Sequence, residues 1–346
     1  MQALILAGGK GTRLRPLTLY TPKPIVPVMN RPFLIYQLDI LRRAGITDIV
    51  LSLSYQPDKI EQLLGDGSEY GVSLRYVTEP SPLGTGGAYR FASDVITDTT
   101  VVLNGDILTD LDLSAVVNAH VSTEAEATIV LTPVTDPSSY GLVELDDERR
   151  VRRFLEKPKP EQIADLQTDT INAGIYVLEP GIRDLIPQGE NRSFEYHVFP
   201  ELLERKSRFY GYVIAGEYWR DLGTPSSYHA AHIDFLAGRI RGFEREAGGD
   251  SDVAHTASID ADSLLAEGCI VKPNARITNS VLGPGVHVEE RAIIQNSVIW
   301  GHTRVAASAE VRGAVIARSC HIGRSSFVGE GSVLGDKASI PDYSRV

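Results

Sequence analysis

The chain has 346 residues, with 34 Lys and Arg against 45 Asp and Glu, a formal net charge of −11 and 42% hydrophobic residues. At roughly 150 residues per domain this length implies two domains. The negative charge argues against a non-specific nucleic-acid binder, which needs an overall positive field. Two cysteines, Cys269 and Cys320, cannot build a disulfide framework. The opening Met1–Ala7 is apolar but stops at Gly8-Gly9-Lys10, too short for a leader, and no apolar run reaches the ~18 residues of a membrane helix. A cytoplasmic, two-domain protein is the expectation.

Residues 1 to about 240 alternate strand-like and helix-like segments. Ala3–Leu6 reads as a buried strand ended by glycines. Phe33–Gly45 carries Leu34, Leu38 and Leu41 on one helical face, with Asn30 as a candidate cap and Gly45 as a stop. Ile49–Leu53, Thr100–Asn104 and Thr128–Leu131 read as strands, and Leu113–Val121 as a helix. Such alternation predicts an α/β fold with a mostly parallel, Rossmann-like sheet, whose ligands bind beyond the carboxyl ends of its strands.

Residues 241–254 are charged and glycine-rich and read as a linker. From 255 the period changes. Aliphatics recur at 259, 265, 271, 277, 282, 288, 294, 299, 305, 311, 316, 322, 328, 334 and 340, in steps of six save three steps of five. The short steps follow Asn279-Ser280, Asn296-Ser297 and Arg312-Gly313. A six-residue repeat predicts a parallel β-helix of about five three-sided coils with these side chains pointing inward. Only Trp300, Phe327 and Tyr343 are aromatic in this stretch, as a narrow interior requires.

The first strand runs directly into Leu6-Ala7-Gly8-Gly9-Lys10-Gly11-Thr12-Arg13-Leu14-Arg15-Pro16-Leu17-Thr18. Glycines let backbone N–H groups approach a phosphate chain, and Arg13 and Arg15 add fixed positive charge. It is neither a Walker A loop nor a dinucleotide fingerprint. Together with Thr21-Pro22-Lys23-Pro24, the segment resembles the signature of the sugar-nucleotide pyrophosphorylases (sugar-1-phosphate nucleotidyltransferases). The resemblance covers nearly the whole chain, since many members also carry a C-terminal left-handed β-helix of hexapeptide repeats.

The resemblance implies transfer of a nucleoside monophosphate to a sugar 1-phosphate with release of pyrophosphate. It places Leu6, Ala7, Gly8, Gly9, Gly11, Thr12, Arg13 and Lys23 on the nucleotide, with Glu79, Gly84 and Thr85 in the base-reading segment. Gly141, Glu156 and Asn172 fall on the sugar, and Arg15 and Lys157 become the catalytic cations. Asp106, in Asn104-Gly105-Asp106 at a strand end, and Asp221 match the metal pair, with Mg2+ as the cofactor, since magnesium takes oxygen ligands. Glu156 and Lys157 are adjacent and would face opposite ways in a regular strand, so Pro158 is expected to disrupt pairing there. A carboxylate at Glu79 suits the two adjacent donors of guanine.

Within the family the likeness runs to the mannose-1-phosphate guanylyltransferases through Leu83-Gly84-Thr85 and Ile171-Asn172-Ala173-Gly174. Thymidylyl-, adenylyl- and uridylyltransferases acting on glucose 1-phosphate stay open as alternatives. So do an acyltransferase using His287, His302 or His321 and a catalytically silent regulatory subunit. A homo-oligomer built through the β-helix is expected, because its terminal coil leaves strand edges to cover.

Overall fold

The computed structural model describes residues 1–164, 168–243 and 249–346, so part of the 241–254 linker lies outside the described residues. Contacts divide the chain into two compact units, Met1–Lys10 with Leu34–Trp219, and Gly11–Phe33 with Arg220–Val346. The division differs from the compositional one: the chain leaves the first unit in the middle of the glycine-rich segment. No described helix is long and apolar enough to cross a membrane.

In the first unit, Ser73–Thr78, Asp48–Leu53, Gln2–Leu6 and Thr100–Asn104 lie side by side as a parallel sheet. The strands expected at Ala3, Ile49 and Thr100 are all here, and their apolar runs are buried on both faces. Beyond Thr100–Asn104 the sheet turns antiparallel through Thr170–Leu178, which also pairs with Ala127–Pro133 and touches Gly141–Leu145. The hairpin Gly141–Leu145/Val151–Glu156 forms the far edge. Tyr176, Phe194 and Phe199 pack with ring centroids 5.3–5.6 Å apart and fix this half of the core.

The helix expected over 33–45 spans Leu34–Arg43, but Asn30 is not its cap. Asn30 has φ 67° and, with Met29, turns a short hairpin between Pro27–Val28 and Arg31–Pro32. Three residues separate it from the first helical turn, too far for its side chain to cap there.

In the second unit the hexads close into three parallel sheets of six, five and five strands. Thirteen of the fifteen aliphatics predicted to point inward form one buried core cluster, and Ile259 and Leu334 near its ends are partly buried and pack against it. The five-residue steps have a physical cause. Asn279, Asn296 and Gly313 take left-handed φ values of 45°, 48° and 58°, which tighten those corners. Ser280 and Ser297 sit at the corners with no exposure. The Ser280 hydroxyl donates to the Thr278 carbonyl at 2.7 Å and accepts the Ser297 N–H at 3.1 Å; Ser297 likewise accepts the Ala314 N–H at 3.2 Å. Each hydroxyl therefore bridges to the next coil.

Truncating an inward residue leaves a cavity that neighbouring coils cannot refill. Ile294→Ala should cost about 2–5 kcal/mol, whereas Arg276→Ala at an outward, exposed position should stay within about 0.5 kcal/mol. Denaturant titration of the two variants checks the contrast.

Candidate active site

In the first unit, the Gly105 N–H donates to the Leu6 carbonyl at 2.9 Å, and the Ala7 N–H donates to Ser52 at 2.9 Å. These bonds set the start of the glycine-rich segment beside the strand end that carries Asp106. A Cβ on Gly8 would lie 3.1 Å from both Glu79 Oε1 and Ser54 Oγ, so the backbone there runs close over Glu79. Gly9 has open space around it and is exposed.

Glu79 is only 8% exposed. Its Oε1 accepts from Ser52 Oγ at 2.9 Å and its Oε2 from the Leu83 N–H at 3.1 Å. The carboxylate thus ties Asp48–Leu53 to the turn before the helix Gly84–Ala92. Gly84 has φ +74°, and a Cβ there would meet the Arg192 carbonyl at 2.6 Å. Thr85 Oγ1 donates to Glu195 Oε2 and accepts the Phe194 N–H, both at 2.9 Å. Both hydroxyl capacities of Thr85 are therefore engaged in joining this helix start to the 193–195 turn.

Gly141 lies opposite Glu156 in the edge hairpin. A Cβ on Gly141 would sit 2.6 Å from Phe154 Cζ and 2.8 Å from Glu156 Oε2, so only glycine leaves that carboxylate its place. Burial, with Glu195 nearby, raises the Glu156 pKa against the opposing pull of Lys157. Lys157 Nζ lies 3.9 Å from Glu156 Oε1, and its side chain is 63% exposed. The change of direction expected from Pro158 occurs one residue earlier. The strand ends at Glu156, and Lys157 itself takes φ 47° while its N–H donates to the Tyr140 carbonyl at 3.0 Å.

Asn172 donates to Tyr176 Oη and accepts the Gly174 N–H, both at 2.9 Å. Trp219 Nε1 donates to the Ala173 carbonyl at 2.8 Å, and its ring meets Tyr140 edge-on at 5.9 Å. Glu195, Tyr140 and Trp219 were not singled out from the sequence. Glu195 stands more than a hundred residues from Thr85, and only the fold pairs them. A cavity of about 650 Å³ lined by Asp146, Arg150, Arg152 and Lys206 contains none of the predicted residues.

In the second unit, Gly11 takes φ 61° and starts the turn Thr12–Leu14. Leu14 and Leu17 are 0% and 1% exposed, whereas Thr12, Arg13 and Arg15 face solvent. The leucines pin the segment and the arginines are presented. Thr18 Oγ1 donates to the Gly11 carbonyl at 2.7 Å, and a Cβ on Gly11 would lie 3.0 Å from Lys23 Cβ. A Cβ on Gly223 would meet Asp221 Oδ2 at 2.6 Å and Arg13 Nη2 at 2.9 Å. Gly223 thus leaves room for the Asp221 carboxylate and the Arg13 guanidinium beside it.

Among the described residues no group of three or more His, Cys, Asp or Glu forms a cage of its own. Asp106 at its strand end and Asp221 beside Gly223 each offer hard oxygen donors. That suits magnesium, which is usually held by one or two carboxylates with substrate phosphates completing its shell.

Comparison with known proteins agrees with these features. The nucleotidyl transferase family model matches residues 2–238, and the model of the EIF2B subunit epsilon LbH domain matches residues 247–346. A mannose-1-phosphate guanylyltransferase of Mycobacterium tuberculosis is 41% identical over 85% of this chain and 83% of its own length. A mannose-1-phosphate guanyltransferase of Pichia angusta is 35% identical over 99% and 93%. A crystal structure from Bacillus anthracis, described as a glucose-1-phosphate thymidylyltransferase with sucrose, superposes with a TM-score of 0.62 at 25% identity, over 71% of this chain and 98% of its own. With the family model spanning both halves of the glycine-rich segment and guanylyltransferase relatives over most of its length, the chain belongs to the nucleotidyl transferase family.

Proposed function

We propose that the chain transfers GMP from GTP to mannose 1-phosphate, forming GDP-mannose and releasing pyrophosphate. The observation that carries the sugar 1-phosphate half is the end of the edge hairpin. There a half-buried carboxylate over Gly141 and an exposed ammonium are adjacent in the chain. The first accepts hydroxyl hydrogens and the second holds a phosphate. Base and sugar identity draw on the relatives, because Glu79 already has two donors within the protein. No observation favours thymidylyl, adenylyl or uridylyl transfer, acyl transfer or a silent regulatory subunit.

In this reading a phosphate oxygen of mannose 1-phosphate attacks the α-phosphorus of GTP. The bond between that phosphorus and the bridging oxygen to the β-phosphate breaks, and the electron pair leaves on pyrophosphate. No protein nucleophile is needed; the task is to hold two polyanions in line against their repulsion. Arg15 neutralises the departing pyrophosphate and Lys157 the incoming phosphate. Arg13 and Lys23 bind nucleotide phosphates, and Asn172 donates its second amide hydrogen to a sugar hydroxyl. Asp106 and Asp221 are the residues that would hold Mg2+, which supplies Lewis-acid polarisation of phosphoryl oxygens.

Pyrophosphate release across a grid of nucleoside triphosphates and mannose, glucose and N-acetylglucosamine 1-phosphates, with magnesium, tests the assignment. GTP with mannose 1-phosphate should dominate. A stronger signal for another pair would replace this substrate assignment, and silence across the grid with folded protein would remove the enzymatic reading.

Arg15→Ala should lower turnover at saturating substrates on the order of 10²-fold, as loss of a transition-state charge partner does. Near-normal turnover would take that role away from Arg15.

Glu156 yields a pH prediction. Its raised pKa means that ionisation is disfavoured in the folded chain, chiefly by dehydration. Above that pKa the wild type loses stability relative to a neutral isostere; below the ordinary value of 4.5 both forms are uncharged and the difference vanishes. In the substrate-free protein, Glu156→Gln should therefore melt higher than wild type at about pH 8, with the gap closing as pH falls toward about 4. The same variant should raise the KM for the sugar phosphate, since an amide accepts hydroxyls less strongly than a carboxylate.

A further inference from the structure

One face of the β-helix carries aliphatic doublets: Leu264-Leu265, Val281-Leu282, Val298-Ile299, Val315-Ile316 and Val333-Leu334. The second residue of each points inward. The first must point outward, because side chains alternate along a strand. Corresponding outward positions on the other two sheets are mixed: Arg276, Glu310, Arg304 and Ser339 stand beside Ile270 and Ile293, and none of these six is buried. Yet Leu264, Val281, Val298 and Val315 are only 5%, 1%, 2% and 2% exposed. The first four coils of this face are covered, while Val333 on the fifth is part-buried.

Hydrogen bonds within the second unit show what lies there. Asn30 Nδ2 donates to the Leu282 carbonyl at 3.0 Å, and the His229 ring nitrogen Nε2 meets the Asn296 carbonyl at 2.6 Å. A Cβ on Gly335 would lie 3.1 Å from Pro16 Cβ. Trp300, 2% exposed and directly after Ile299, donates from Nε1 to Tyr228 Oη at 2.9 Å. Tyr228, with no exposure, donates in turn to the Pro27 carbonyl. Its single hydroxyl proton has a forced direction, since the indole N–H occupies one acceptor lobe and the carbonyl takes the proton.

Pro27 belongs to the segment 11–33, which presents Arg13, Arg15 and Lys23. We infer that Tyr228, oriented by Trp300, is a positioning residue that sets this phosphate-contacting segment on the β-helix. The β-helix thereby takes part in nucleotide binding without touching the nucleotide. This inference rests on the nucleotidyl transfer reading above.

The test uses full-length protein: wild type, Tyr228→Phe, Trp300→Phe, the double variant and Leu264→Ala. Leu264→Ala disturbs the same covered face without touching the relay. Tyr228→Phe takes the partner from a part-buried carbonyl and from a buried indole N–H, a cost that corresponds to about tenfold in an equilibrium. It should raise the KM for the nucleoside triphosphate by about tenfold and leave the KM for the sugar 1-phosphate within about twofold. The double variant should fall within about twofold of Tyr228→Phe, because the indole acts only through the hydroxyl. Leu264→Ala should lower the melting temperature without that split. The inference is overturned by an unchanged nucleotide KM in Tyr228→Phe, by equal losses against both substrates, by additive effects in the double variant, or by the same split in Leu264→Ala.

Calorimetric binding of the nucleoside triphosphate with magnesium, run on all five proteins, separates the two readings. If the wild type turns over a different substrate pair, the GDP-mannose assignment fails and the positioning role is judged on that pair. A wild type that binds no nucleoside triphosphate overturns both.

Discussion

A β-helix coil admits one aliphatic side chain per hexad to its interior, so an aliphatic placed immediately before it has nowhere to go but out. Much of the second unit follows from that constraint. A face of Leu264, Val281, Val298 and Val315 left in water would forfeit roughly 1.5–3 kcal/mol per side chain. The chain covers it instead. Bonds from Asn30, Tyr228 and His229 fix the cover in register with particular coils. The β-helix is therefore more than a spacer. Its outward chemistry on one side is complementary to a segment that lies about 250 residues earlier in the sequence, as the Asn30–Leu282 bond shows with its separation of 252.

The first unit builds its site largely by omission. Gly141 leaves out a methyl that would strike Glu156, and Gly84 leaves out one that would strike the Arg192 carbonyl. Gly8 lets the backbone pass over Glu79. In each case the missing Cβ is what allows a polar group to stand where it does. Glu156 remains half-dehydrated beside Glu195 and is held at a cost to the empty protein. In the proposed reading, a sugar hydroxyl donating to Glu156 would relieve that cost on binding.

What could be read from the sequence divides along a physical line. The inward aliphatics were legible because a fixed period imposes them one by one, and the glycine-arginine segment was legible because its chemistry is local. Asn30 suits a cap and a left-handed turn alike, because both favour the same residue type; only the hairpin distinguishes them. Thr85 and Glu79 carried motif positions, but their hydrogen bonds to Glu195, Phe194, Ser52 and Leu83 depend on pairings that no local pattern encodes. The doublets at 264, 281, 298, 315 and 333 were visible all along.

The charge balance ties these points together. A chain with net charge −11 presents an unfavourable average field to a triphosphate and a sugar phosphate alike. Binding two such anions requires positive potential generated locally, by cations close to where the phosphates sit. Exposed arginines on a free loop would supply it poorly. Each ordered long side chain costs entropy, and solvent and salt screen a charge that wanders. Arg13 and Arg15 instead alternate with Leu14 and Leu17, which are buried, on a segment whose far end is bonded to Tyr228 and to Leu282. The backbone carrying the cations is ordered by folding rather than by substrate. In the proposed reading, the apolar face of the β-helix and the placing of the cations for phosphate are consequences of the same packing.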